Sequence, residues 1–163
     1  MKSSLLLVLM LFGVAVWLPN EATAQSNERL PPFNMTLSNG RFLKAADIPA
    51  GKPVVLIYFA PDCDHCHTLM NAFFQKAGEF KTAEVVMVTF KPVSEVRTFE
   101  QSFQTARYPN IKVGTEGNTN FLRLFYKLQN TPFTALYNRD GKLVVSYRKE
   151  TPVDELVKQL KKL

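Results

Sequence analysis

Cys63 and Cys66 are the only cysteines in the chain, and Asp64 and His65 lie between them. Thiols at that spacing can close a small disulfide, hold a soft metal ion or exchange electrons with another thiol pair. As a staple such a disulfide closes almost no loop and gains little, so redox or metal chemistry explains the pair better. For metal, Cys63, His65, Cys66 and His67 cluster within five residues. Positions 65 and 67 point to different sides of a helix, however, so the four groups cannot readily converge on one ion. Copper or zinc delivery is carried forward as the alternative function.

The pair needs a strand before it and a helix after it. Val54–Ala60, VVLIYFA, is an unbroken apolar run of the kind buried inside a sheet. After it, Cys66, Leu69, Met70, Phe73 and Ala77 recur at helical spacing, which predicts a helix to about Phe80. Cys63 then sits at the helix start, beside unpaired backbone N–H groups and the positive end of the helix dipole, and both favour a thiolate.

The chain has 163 residues, 46% of them hydrophobic, enough for one core. Lys2, the apolar run Leu5–Leu18 and Ala22-Thr23-Ala24 have the pattern of a secretory signal peptide over residues 1–24, cleaved near Ala24. The run is too short to span a bilayer. The mature protein is therefore expected to be periplasmic or secreted, where disulfides persist. Although the net charge is +6, the basic residues are not interleaved with aromatics as in a nucleic-acid binder. No nucleic-acid partner is expected, and the domain reads as a monomer.

Residues 25–32 form a polar, extended lead-in, and 33–163 the domain. Ser38-Asn39-Gly40 between apolar alternations predicts an opening hairpin. Glu84–Phe90 predicts a second buried strand, parallel to the first across the helix. Val96, Phe99, Phe103 and Ala106 give another helical stripe, Asn110–Gly114 a short strand, and Phe121–Leu128 an apolar helix. Thr131-Pro132 leads into a second hairpin turning at Asn138-Arg139-Asp140-Gly141. Thr151 is expected to cap a last helix, with Pro152 at its first position.

In this order of elements, with Phe59-Ala60-Pro61-Asp62-Cys63-Asp64-His65-Cys66 and a downstream Thr131-Pro132, the chain resembles the thioredoxin-like superfamily, and within it the exported TlpA/ResA-like branch. The resemblance implies an α/β three-layer sandwich: a central mixed sheet, helices on both faces and an N-terminal β-hairpin. It implies a thiol-disulfide oxidoreductase whose only redox group is the Cys63–Cys66 disulfide, with no other cofactor and no metal. Cys63 would attack and Cys66 resolve, while cis-Pro132 and Thr131 would dock the substrate. The partners would be thiols and disulfides of exported proteins, with a membrane electron donor or acceptor.

Several positions depart from the family pattern. Asp62 stands where thioredoxins usually carry tryptophan, Ile57 where they bury an acid, and Leu69 where this branch often has a glutamate. Water, Asp62 or Asp64 is left to take a proton from Cys66. His65 precedes the second cysteine as in the DsbA family and should stabilise a Cys63 thiolate, whereas Asp64 should oppose it. His67 reads as a solvent-facing helix residue. Peroxiredoxins share the fold, but their threonine and proline before the reactive cysteine are replaced here by Ala60 and Leu56.

Overall fold

Two β-rich runs, Val54–Tyr58 and Glu84–Thr89, are buried at every position, as strands covered on both faces must be. They form the middle of the sheet in the computed structural model, which describes residues 29–163. The predicted leader and the first part of the lead-in lie outside the described residues. In chain order the elements are β1 (Asn34–Leu37), β2 (Phe42–Lys44), β3 (Val54–Tyr58), α1 (Asp64–Gln75), β4 (Glu84–Thr89), α2 (Val93–Phe103), β5 (Ile111–Thr115), α3 (Phe121–Phe125), β6 (Phe133–Tyr137), β7 (Leu143–Arg148) and α4 (Val153–Leu160). Short 3-10 turns join several of them.

The sheet has seven strands in the order β2-β1-β5-β4-β3-β6-β7. β3, β4 and β5 are parallel and the remaining pairings antiparallel. The crossovers β3-α1-β4 and β4-α2-β5 step in the same direction, so right-handed connections put α1 and α2 on one face. Packing agrees: Leu69, Met70 and Phe73 of α1, Val96 and Phe99 of α2 and Leu156 of α4 share a core with Val55, Ile57 and Phe59. Alternate β3 residues, Leu56 and Tyr58, face the second core, formed with Leu122 of α3, Tyr126, Phe133 and the N-terminal Phe33 and Met35. The mixed sheet with helices on both faces and an opening hairpin is thus the expected thioredoxin-like architecture.

From β5 the chain must return past β4 and β3 to reach β6. Thr115 ends β5 level with Thr89, and Phe133 begins β6 opposite Tyr58. The connection therefore leaves and re-enters at the end of the sheet where β3 hands over to α1. That end, where the connections reverse direction, is where open α/β sheets place ligands.

Local details depart from the expected elements. Gln104 adopts a left-handed conformation, φ 51°, which ends α2 and turns Thr105 inward, while Ala106 is exposed. α3 stops at Phe125 because the chain turns left-handed at Lys127, φ 52°, leaving Leu128 outside the helix but still buried. Thr151 does not cap α4: its hydroxyl pairs with that of Thr134 at 2.8 Å, and Pro152 occupies the cap. The lead-in is not loose at its end, since Arg29 bridges to Lys142 and the Leu30 N–H donates to the Gly141 carbonyl at 3.0 Å.

Where β5 crosses β1, only glycine fits. A Cβ on Gly114 would lie 2.9 Å from both Met35 Sδ and the Thr36 carbonyl oxygen, and buried Met35 has little room to yield. Gly114→Ala is expected to cost about 1–3 kcal/mol, read as a lower urea midpoint at unchanged slope; an unchanged midpoint would show that the β1–β5 contact can relax.

Candidate active site

β3 ends at Tyr58, and the Cys63 N–H turns back to the Ala60 carbonyl at 3.2 Å. Cys63 occupies the cap of α1 in an extended conformation, φ −108°, and its carbonyl accepts the His67 N–H at 3.0 Å. Asp64 begins the helix and is exposed, as is His65. Cys66 points inward at 1% exposure, its sulfur accepting the Ala60 N–H at 3.5 Å. Both cysteines are free thiols. Cys63 is half-buried and its Sγ donates to the Thr131 carbonyl at 3.6 Å. The Thr131–Pro132 bond is cis. The returning connection thus brings Thr131 and Pro132 beside the pair.

The two sulfurs differ electrostatically. Burial pushes the Cys63 thiol up, but hydrogen bonds from the Cys66 and Thr131 side chains and from the Cys66 and His65 backbone outweigh it, leaving Cys63 below its ordinary 9.0. Cys66 is pushed up to about 12, chiefly by burial, with the neighbouring Cys63 adding to the rise against the Ala60 N–H and Thr131. The His65 backbone N–H is one of several donors to Cys63. Asp62 is taken by Lys91 at 2.6 Å, and this hydrogen bond holds its carboxyl below the ordinary value, making it a poor proton acceptor. His67 is exposed, and among the described residues no three Cys, His, Asp or Glu side chains gather as a metal site.

A cleft of about 440 Å³ opens beside Cys63, walled by Tyr58, His65, Phe90, Arg123, Thr131 and Lys149 among others. Sequence reasoning missed Tyr58 and its partner Glu116. Glu116, 6% exposed, accepts the Tyr58 hydroxyl at 2.7 Å and the Leu122 N–H at 2.8 Å. The available signal was a tyrosine in an otherwise aliphatic strand, whose hydroxyl must find a partner. Tyr58 lies on the sheet face opposite Cys66, so this carboxylate supports the cleft wall and does not replace the acid missing at Ile57 and Leu69.

The AhpC/TSA family profile matches residues 27–151. The chain belongs to the AhpC/TSA family. No curated protein matches it in sequence. Among solved structures, a secreted Mycobacterium tuberculosis disulfide oxidoreductase homologous to E. coli DsbE shares 21% identity over 81% of this chain and 96% of that one, with a TM-score of 0.67. A Chlorobium tepidum protein assigned as the thiol:disulfide interchange protein DsbE shares 23% over 83% and 94%, at 0.65. The Mycobacterium tuberculosis peroxidoxin BcpB shares 15% over 83% and 96%, at 0.69. At these identities the likeness is one of fold. Family and fold together support oxidoreductase activity for this AhpC/TSA member.

The Tyr58–Glu116–Leu122 bonds tie α3 of this AhpC/TSA chain to β3. Burial and the Glu116 carboxylate push the Tyr58 hydroxyl far above its usual range, so it remains a donor at any physiological pH. Glu116→Ala leaves two buried donors unmet and is expected to cost about 1–3 kcal/mol or more, with Glu116→Gln, which keeps an acceptor, losing less. Chemical denaturation of the two variants checks this; equal losses, or none, would mean that the carboxylate is not the strut.

Proposed function

We propose that this chain is an exported thiol-disulfide oxidoreductase acting on thiols and disulfides of other exported proteins. The observation that carries the reading is the split between the two thiols: Cys63 half-buried, hydrogen-bonded and shifted toward thiolate, Cys66 buried and shifted toward thiol. In the reducing direction the Cys63 thiolate attacks one sulfur of a substrate disulfide. That S–S bond breaks, the departing substrate thiolate takes up a proton, and a mixed disulfide forms. Cys66 then gives its proton to water and attacks Cys63 Sγ; the Cys63–Cys66 disulfide forms and the second substrate sulfur leaves. Two electrons pass to the substrate, and the same steps reversed oxidise it. A membrane donor or acceptor would reset the pair. Thr131 and Pro132 dock the substrate chain, and Asp64 and His65 tune the Cys63 thiolate in opposite senses.

Removing only the resolving sulfur tests the roles. Cys66→Ser is expected to accumulate mixed disulfides with exported proteins and Cys63→Ser few, seen on non-reducing gels after acid quenching; equal trapping would reverse or abolish the assignment.

The pH dependence follows from the direction of the Cys63 shift. Because its pKa is lowered, the thiolate fraction, and with it the rate of iodoacetamide alkylation, should rise with pH to a plateau, with its midpoint below pH 9.0. His65→Ala should move that plateau to higher pH and Asp64→Asn to lower pH. Parallel shifts in the two variants would overturn the opposing roles.

A further inference from the structure

The redox chemistry accounts for the two sulfurs but not for the wall opposite them. The connection from β5 to β6 places Arg123 against the Cys63 cleft and fixes it there. Glu116 and Tyr58 hold the first turn of α3, Arg123 Nε donates to the Leu128 carbonyl at 3.3 Å, and the guanidinium lies 6.0 Å from the Phe90 ring centroid. Its terminal nitrogens have no hydrogen-bond or ion-pair partner among the described residues.

A second cleft, about 630 Å³, adjoins the first and shares Arg123, Leu128 and Gln129 with it. It adds Lys127, held left-handed at φ 52°, and Leu124, which is 72% exposed. Arg123, Lys127 and Lys149 are the cations along the two clefts; no aspartate or glutamate lines either. Of the carboxylates close to these lining residues, Glu116 is engaged by Tyr58 and Leu122 and Asp62 by Lys91, while Asp64, beside Cys63, and Glu150, beside Lys149, are exposed and outside the lining. A planar guanidinium with free terminal nitrogens, fixed at the mouth of a cleft, suits a carboxylate.

We propose that the groove from Cys63 past Arg123 to Leu124 selects polypeptide substrates carrying acidic residues beside the reactive cysteine, with Arg123 as the principal specificity residue. This deepens the oxidoreductase reading and rests on it. Arg123 positions the substrate chain and takes no part in the electron transfer. Lys127 and Lys149 add to the field, and Leu124 offers an apolar contact beyond the charge.

The test uses the domain in its reduced form and three model peptide disulfides of equal length, with glutamate, glutamine or lysine flanking the cysteine. Stopped-flow or quenched reactions give the second-order rate for each peptide at low ionic strength. The glutamate peptide is expected to react about threefold to tenfold faster than the lysine peptide, with glutamine between them, and the spread should shrink as salt is raised. Arg123→Gln should reduce the ratio toward one and Arg123→Glu should invert it, while Arg123→Lys retains part. Because ratios are compared within each variant, a general loss of rate does not mimic the effect. Equal rates for the three peptides in the unsubstituted protein, or a ratio unchanged in Arg123→Gln, would overturn the proposal while leaving the oxidoreductase reading intact. Absence of reaction with every peptide would instead overturn the oxidoreductase reading itself.

Discussion

The active end of this domain depends on β3 being covered on both faces and paired on both edges. Its five residues are all buried, alternate ones entering different cores, and β4 and β6 flank it in opposite orientations. A strand held this firmly cannot shift register without exchanging its two sets of side chains between the cores. Whatever follows its last residue is therefore fixed in space. Cys63 inherits that position, and so does the cap of α1. The antiparallel β6, starting opposite Tyr58, brings the Thr131 carbonyl to the same spot from the other direction.

This arrangement makes two nearly adjacent thiols chemically unlike. The sulfur at the cap meets backbone donors from His65 and Cys66, whereas the sulfur one turn inward has the Ala60 N–H and is otherwise enclosed with Phe59, Leu69 and their neighbours in the first core. Burial raises both, and more so the deeply enclosed Cys66; only Cys63 gains enough donors to end below its ordinary value. The neighbouring carboxylate at Asp62 is neutralised from across the turn by Lys91, which also lies 5.5 Å from the Phe90 ring centroid.

The strand, the cysteine pair and the helix were legible in the sequence because each is a local pattern: an aliphatic run, a fixed spacing, and apolar residues recurring every turn. Thr131-Pro132 was legible only through resemblance, since nothing local in those two residues says that they return to the cysteines. The Tyr58–Glu116 bond was not legible at all; its partners are 58 positions apart and meet only once β5 lies two strands from β3. Element ends also escaped where single residues without glycine's freedom take left-handed conformations, as at Gln104, Asn120 and Lys127. The Thr151 hydroxyl could satisfy either its own helix or Thr134 across the sheet, and only the folded geometry chooses.

Arg29 and Leu30 are tied to the β6–β7 turn, and that turn lies at the Val54 end of β3, since Tyr137 pairs with Val54. The chain thus enters the domain at the pole opposite the one that carries Cys63. If the domain were held by its leading end, at a surface or beside another domain, the redox pair would face outward from the point of attachment.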